Sequence, residues 1–340
     1  MTRPRVLFVD DEAHALDGYR RLFQDRYEVA VESNPVRALR RLAAEPPFAA
    51  IVSDLRMPEL DGIGFLARAG DLAPESTRIL LTGYADFENA VQAVNQGHIF
   101  RFLSKPCPDE VLADALRDAV AQNELLRSSH ELAVLRRLKR LMDAVLTGLS
   151  TLVERRDPYT AGHQRRVAKL AGDMAEAMGL SGERREVLRM AALIHDIGKV
   201  YVPSDFLNKP GRLSDAEFSI IRLHPEVGAE ILASVDPQWP IAEIILQHHE
   251  RLDGSGYPHG LKGADILPEA RILAVADVAD AMISQRPYRA ALGQETAIDE
   301  LRTGRGTVYD AEAVDACLAL LESGRFSPDE FSPIPGASAT

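Results

Sequence analysis

Two short stretches carry side chains that could do metal chemistry: His195-Asp196-Ile197-Gly198-Lys199, and His248-His249-Glu250-Arg251-Leu252-Asp253-Gly254-Ser255-Gly256-Tyr257-Pro258. Each places adjacent metal-capable residues at the end of an apolar helical run. Val187, Leu188, Ala191 and Ile194 precede His195, and Ile241, Ile244 and Ile245 precede His248. Ala191 and Ile244 lie one turn before their histidines, so each imidazole continues a core-facing stripe. An imidazole buried there without a partner is unfavourable. A metal is one partner that removes the penalty; a buried carbonyl or carboxylate is another. A single histidine on an apolar face is ordinarily a satisfied core residue. Here His163, His195, His224, His248 and His249 all fall on helical patterns or their ends in one half of the chain, with Asp196 and Asp277 on similar faces. Imidazole and carboxylate together suit iron, manganese or zinc in a hydrolytic site.

A second constellation lies near the start. Asp10 and Asp11 follow the apolar run Val6 to Val9, Asp54 follows Ala49 to Ser53, Thr82 follows Ile79 to Leu81, and Lys105 follows Ile99 to Leu103, just before Pro106. Three carboxylates make an oxygen-rich pocket that suits Mg²⁺. A carboxylate beside that ion can act as nucleophile toward a phosphoryl group. The lysine ammonium balances charge, and the threonine hydroxyl can bond a phosphoryl oxygen. One aspartate at a strand end is often only a helix cap; five positions in this order argue for the pocket.

The elements that must position these groups follow from the hydrophobic pattern. Those four runs and Glu28 to Val31 read as strands, each followed by an amphipathic helical pattern. That alternation predicts a doubly wound α/β domain, a parallel sheet covered on both faces with its site at the carboxyl ends of the strands. From Asp109 to Val153 there is no proline and only Gly148. Leu135, Leu138, Met142, Val145, Leu149 and Leu152 alternate at three and four residues, a coiled-coil seam. Leu125 and Leu132 are also seven apart, but the step from Leu132 to Leu135 breaks the phase. One helix over this stretch would be about 65 Å long. It reads as a dimer helix, with an inert spacer as the alternative.

The remainder is expected to be all-helical. Asp157-Pro158 reads as a helix start, Ser181 opens a helix ending near His195, and Ser214 with Glu217 forms a capping box. Pro225 disfavours helical geometry at His224, which predicts a bend there and a helix from Pro225 through Leu232. Ala270 to Ile283 is a further helix with Asp277 and Asp280 on one face, and Asp253 to Pro258 is a tight loop. The expected organisation is thus an α/β domain over 1–122, a helical connector over 123–149, a helical domain over 150–326 and a disordered tail over 327–340, rich in Pro, Ser and Ala.

Composition bounds the function. The 340 residues are 46% hydrophobic and 26% charged, which describes a soluble multidomain globular chain. A formal net charge of −12 argues against broad binding of DNA or anionic membrane. Cys107 and Cys317 are the only cysteines, too few for a disulfide framework and not in a metal-type spacing. The start of the chain does not read as a signal peptide, and no apolar stretch is long enough to span a bilayer, so the cytoplasm is the expected compartment.

The second half resembles the HD-GYP phosphodiesterases, a branch of the HD superfamily of metal-dependent phosphohydrolases. The likeness is carried by His-Asp-x-Gly-Lys at His195 to Lys199, by His224-Pro225, by His248-His249, by Asp-Gly-x-Gly-Tyr-Pro at Asp253 to Pro258, and by Asp277 with Asp280. It implies one metal held by His163, His195, Asp196 and Asp277, and a second held by His224, His248 and His249 with Asp196 bridging. It also implies that water activated between two Fe or Mn ions attacks phosphorus, with Asp196 and Lys199 as the catalytic groups. Lys199, Tyr257, Arg286 and Arg289 would contact substrate. Some family members carry a glutamate that helps hold a third metal four residues before the first histidine; here that position is Tyr159, a poor ligand, so two metals are expected.

The first half resembles the receiver domain of two-component response regulators, through Leu7-Phe8-Val9-Asp10-Asp11-Glu12, Ser53-Asp54-Leu55-Arg56-Met57-Pro58 and Leu103-Ser104-Lys105-Pro106. The resemblance makes Asp54 the phosphoacceptor, places Mg²⁺ on Asp10, Asp11 and Asp54, and assigns Thr82, Phe102 and Lys105 to the switch. Together the two likenesses imply a cyclic di-GMP phosphodiesterase, giving pGpG or, with a second cut, GMP, that is controlled by a sensor histidine kinase. The alternatives are a catalytically weak nucleotide-binding scaffold, or an enzyme preferring pGpG or another cyclic dinucleotide.

Overall fold

The computed structural model describes residues 3–83, 99–156, 162–209, 211–235, 238–284 and 293–326. The expectations placed on Asp157-Pro158, Tyr159, Arg286, Arg289 and the tail from residue 327 lie outside the described residues. The chain divides into two compact units, Met1–Leu138 and Lys139–Thr340.

In the first unit, β1 (Arg5–Val9), β2 (Glu28–Glu32), β3 (Ala50–Asp54), β4 (Thr77–Thr82) and β5 (Arg101–Ser104) pair in parallel in the order β2-β1-β3-β4-β5. The period of two sorts their side chains onto two cores. Leu7, Val9, Ile51 and Leu80 face the helices Pro35–Ala44 and Gly62–Leu72 through Ala38, Leu42, Phe65 and Leu66. Val6, Phe8, Val52 and Ile79 face Leu16, Leu116 and Ala119 on the other side. Both faces are buried, so β1 and β3 are nearly continuous apolar runs. The strands differ slightly from the expected bounds. Asp54 and Thr82 are the last residues of β3 and β4, because pairing runs on to Asp54 with Leu81 and Thr82 with Ser104. Ile99 and Phe100 fall outside β5, which begins at Arg101.

The helix Asp109–Arg156 is unbroken over 48 residues, as the lack of proline predicted. Its first turns bury Leu112, Ala115, Leu116 and Ala119. Further along, Leu125, Leu132, Leu135, Leu138, Met142, Val145 and Leu152 are exposed.

The second unit is helical among its described residues. The helices His163–Ala177, Gly182–Ile194, Ile241–Gln247, Pro268–Ile283 and Ala311–Glu322 share one core that includes Leu170, Met174, Leu188, Ile244, Leu273 and Val314. Ser181 caps Gly182–Ile194 by accepting from Arg184 N, and Ser214 with Glu217 forms the expected capping box on Asp215–Ile221. One local expectation is corrected. His224 is itself the first residue of the helix His224–Ile231, with Leu223 as its cap, and no bend separates it from Pro225. Pro225 occupies the second helical position, where its missing N–H breaks no intrahelical bond. Burial of His224 and the bond of its Nδ1 to the Ile221 carbonyl favour the helical geometry.

Candidate metal centre

Three histidines of the second unit are anchored alike. His195 caps the end of Gly182–Ile194, His248 caps the end of Ile241–Gln247, and His224 begins its own helix. Each turns Nδ1 to the carbonyl three residues back: Ala192 at 2.7 Å, Ile245 at 2.5 Å and Ile221 at 2.8 Å. A carbonyl can only accept, so in each neutral ring Nδ1 carries the hydrogen and Nε2 keeps its lone pair for a ligand.

Those Nε2 atoms converge. His224 Nε2 is 3.3 Å from His248 Nε2. Two nitrogen lone pairs at that separation repel unless a cation or a shared proton stands between them, so the donor set suits a metal. Asp196 lies between the groups, with Oδ1 3.4 Å from His224 Nε2 and Oδ2 3.6 Å from His195 Nε2. Asp196 Oδ2 also accepts a hydrogen bond from Lys199 Nζ at 2.8 Å. His163 turns Nε2 to Asp277 Oδ1 at 3.2 Å and Nδ1 to Asp280 Oδ2 at 2.6 Å. Asp277 Oδ1 is 3.9 Å from His195 Nε2, and its Oδ2 is 4.0 Å from His249 Nδ1. Three donor sets, each within 4.8 Å, result: His163, His195 and Asp277; His195, Asp196 and His248; His224, His248 and His249. The structure therefore gathers into one buried cluster the seven side chains expected to bind metal.

The electrostatics suit the same reading. Burial pushes the His224 imidazole down to about 4 against the opposing pull of Asp196, and burial followed by the neighbouring imidazoles pushes His248 down to about 3 and moves His249 the same way. Burial would also lower His163, but Asp277 and Asp280 outweigh it and raise that ring to about 9. Burial works to raise Asp196 and Asp277, yet both stay well below the usual carboxylate range, Asp196 through Lys199 and His195 and Asp277 through His163. Neutral imidazoles beside ionised carboxylates are the protonation state that metal binding requires. The two acids that retain a proton on His163 would equally favour a cation.

Close backbone packing holds the cluster. A Cβ on Gly198 would lie 1.9 Å from the His224 carbonyl oxygen, so only glycine lets the turn Ile197–Tyr201 rest on that helix. A Cβ on Gly256 would lie 2.5 Å from Glu250 Cα and the His249 oxygen. Buried Glu250 accepts from His259 N at 2.7 Å and Leu261 N at 3.0 Å, fastening the Asp253–Pro258 loop beneath the histidines. Tyr257 then lies over His249, ring centroids 4.7 Å apart.

Sequence reasoning did not assign roles to Asp280, Arg166 and Glu250. Asp280 is fully buried and orients His163, and Arg166 clamps it with Nε 2.7 Å from Oδ1 and Nη2 3.1 Å from Oδ2. Their spacing held the signal: Arg166 lies three residues after His163 and Asp280 three after Asp277, so each shares a helix face with a metal-type residue.

In the first unit, Asp10, Asp11 and Asp54 bring oxygens within 4.8 Å of one another. Lys105 Nζ bonds Asp10 Oδ2 at 2.9 Å and Asp54 Oδ1 at 2.5 Å. Arg56 N donates to Asp54 Oδ2 at 3.0 Å. Thr82 is buried at the end of the adjacent strand, with its hydroxyl donating to the Gly83 carbonyl at 3.2 Å rather than to an acid. Phe102 is half-buried against the core that contains Leu60 and Ile63. A Cβ on Gly62 would lie 2.1 Å from the Asp54 carbonyl oxygen, so the helix Gly62–Leu72 starts directly on the strand end.

Two family models match the chain: an HD domain over residues 148–313 and a response regulator receiver domain over residues 6–117. The cyclic di-GMP phosphodiesterase response regulator RpfG of Xanthomonas campestris is 34% identical over 96% of this chain and 92% of its own length. A cyclic di-GMP phosphodiesterase of Thermotoga maritima is 37% identical over 78% of this chain and 77% of its own length. A 3'3'-cGAMP-specific phosphodiesterase of Vibrio cholerae is 37% identical over 58% of this chain and 42% of its own length. No described helix is long and apolar enough to cross a membrane.

Proposed function

The chain belongs to the two-component response regulators that join a receiver domain to an HD-GYP domain, and from that membership we propose that it hydrolyses cyclic di-GMP to pGpG or, with a second cut, to GMP, under control of phosphorylation at Asp54. One observation carries the catalytic reading: the free Nε2 atoms of His195, His224 and His248 converge on Asp196, whose other contact is Lys199.

We assign one Fe or Mn ion to His163, His195, Asp196 and Asp277, and a second to Asp196, His224, His248 and His249. Bound there, the metals would activate water and stabilise negative charge on phosphoryl oxygens. Asp196 would serve both positions, since Oδ1 lies toward His224 and Oδ2 toward His195. Lys199 holds Asp196 in place and sets its ammonium beside the negative charge that develops on the phosphoryl oxygens. Tyr257 walls the site next to His249, and Arg286 and Arg289 complete the substrate contacts. In the receiver, Asp10, Asp11 and Asp54 would hold Mg²⁺, with Thr82, Phe102 and Lys105 reading the state of Asp54. Residues 1–122, 123–149 and 150–326 are the receiver, connector and catalytic segments. A sensor histidine kinase supplies the phosphoryl group. The apolar stripe from Leu135 to Leu152 pairs two copies of the chain.

The test is turnover by purified protein loaded anaerobically with Fe²⁺ or Mn²⁺, on cyclic di-GMP, pGpG and 3'3'-cGAMP side by side, with and without an acyl-phosphate donor. Preferred cleavage of cyclic di-GMP, a donor effect abolished by Asp54→Asn, and a metal content near two per chain are expected. Absence of turnover with every metal while dinucleotide binding persists overturns the enzymatic reading. A metal content near three overturns the two-metal assignment.

A further inference from the structure

Arg222 stands at the rim of the metal cluster without a metal-binding role. It ends the helix Asp215–Ile221, two residues before His224, and is exposed. Its Cζ lies 4.9 Å from the centre of the Phe218 ring and 5.0 Å from that of Tyr257. Tyr257 in turn lies over His249. Phe218 is 42% exposed, an aromatic ring left at the surface beside a charged group. Among the described residues Arg222 meets no carboxylate within ion-pair distance, although the chain carries a net charge of −12.

A guanidinium set over aromatic rings engages them through its face and keeps its in-plane N–H donors for other partners. Stacking also limits its rotamers, so less freedom is lost when a ligand binds. The chemistry that suits such a fork is a pair of acceptor atoms side by side, on an anion or a base edge. We propose that Arg222, steadied by Phe218 and Tyr257, is a substrate-binding residue that grips paired acceptors of the dinucleotide outside the bond being cut. The inference rests on the phosphodiesterase reading above. A cyclic dinucleotide offers such acceptors in two places, the O6 and N7 edge of guanine and the second phosphate.

The experiment uses the full chain loaded with Mn²⁺, as wild type, Arg222→Ala, Arg222→Lys and Phe218→Ala. Metal content is measured alongside kcat and KM on cyclic di-GMP. Cyclic di-AMP and 3'3'-cGAMP are titrated as competitors. Arg222→Ala is expected to raise KM by about tenfold or more, with kcat within about twofold and metal content unchanged. Arg222→Lys restores little, because an ammonium lacks the fork, and Phe218→Ala gives a smaller rise in KM. Equal weakening of cyclic di-AMP and of the guanine ligands assigns the grip to phosphate; weakening confined to guanine ligands assigns it to the base. An unchanged KM in Arg222→Ala overturns the inference, as does a fall in kcat that accompanies loss of metal. Wild-type protein that leaves cyclic di-GMP intact overturns the phosphodiesterase reading, and this inference with it.

Discussion

The two acidic sites of this chain are built on opposite principles. The pocket of Asp10, Asp11 and Asp54 sits at the ends of parallel strands with Asp11 exposed, and the Lys105 ammonium closes it by pairing with Asp10 and Asp54. Its ligands are oxygens alone. That suits an ion which keeps several waters and leaves with its phosphoryl group. The cluster around Asp196 is buried, mixes imidazole with carboxylate, and fixes its rings through backbone carbonyls. That suits an ion which stays. Exposure of the ligands, and whether their second atoms are tied to backbone, separates a transient site from a resident one more cleanly than the number of carboxylates does.

The largest effect should come from Asp196, the residue that the proposed assignment shares between two metal positions. Asp196→Ala is expected to lower turnover by about a thousandfold or more and to reduce metal content at both positions, as measured by steady-state kinetics and elemental analysis. Asp10→Ala should leave the metal content of the HD half unchanged. If Asp196→Ala retains a tenth of the activity, the cluster is not one centre, and the contrast with the receiver pocket weakens.

Next come two glycines that play the same part at the two sites. A Cβ at Gly198 would meet the His224 oxygen at 1.9 Å, and one at Gly62 would meet the Asp54 oxygen at 2.1 Å. In both cases the obstacle is backbone, which cannot swing aside. Gly198→Ala and Gly62→Ala are each expected to destabilise their unit by about 3 kcal/mol, at the upper end for overpacking, read from denaturant midpoints. Gly198→Ala should also release metal, because it displaces His224, a ligand in the proposed assignment. Gly62→Ala should slow phosphorylation and leave metal in place.

A smaller effect tests the link behind His163. Asp280→Asn keeps the size of the side chain but removes the charge that Arg166 and His163 share. Metal affinity at the position of His163 is expected to fall by about 10- to 100-fold, measured by chelator competition, with acceptance of phosphate at Asp54 unaltered. Equal affinity in the variant would mean that the carboxylate serves the fold rather than the ligand.

How much of this could be read from the sequence divides along the same line. The parallel sheet and the receiver acids were legible, because a parallel sheet confines its site to strand ends and strands buried on both faces read as short apolar runs. The histidines were legible because each continued an apolar stripe. The carbonyls of Ala192, Ile221 and Ile245 were not, since any helical residue offers one and only the ring torsion decides which is used. Helical geometry at His224 was missed because a local rule about the residue before proline yields to burial. Arg222 was passed over because a stacking partner such as Phe218 carries no motif. Asp280 was seen as spacing but not as function, since Arg166 lies more than a hundred residues away in sequence.

The smallest effect supplies the control for the comparison, because outside their sites the two units use similar ion pairs. Arg41, at 2.6 Å, and Arg5, at 2.8 Å, hold the Glu45 carboxyl at about 2 in the receiver unit. Arg189, at 2.8 Å, leads in holding Glu186 at about 2 in the other unit. Each acid has an ordinary value of 4.5 when unpaired, so the unfolded chain takes up its proton first as pH falls. The stabilisation is therefore complete above about pH 5 and is lost as pH drops toward about 2. Glu45→Gln and Glu186→Gln should each remove about 1 kcal/mol at neutral pH, and the difference from wild type should vanish near pH 2. Calorimetry across this range reads both. Matching acid limbs would localise the difference between the units to their sites. A Glu186 effect several times that of Glu45 would place part of the contrast in the surrounding scaffold instead.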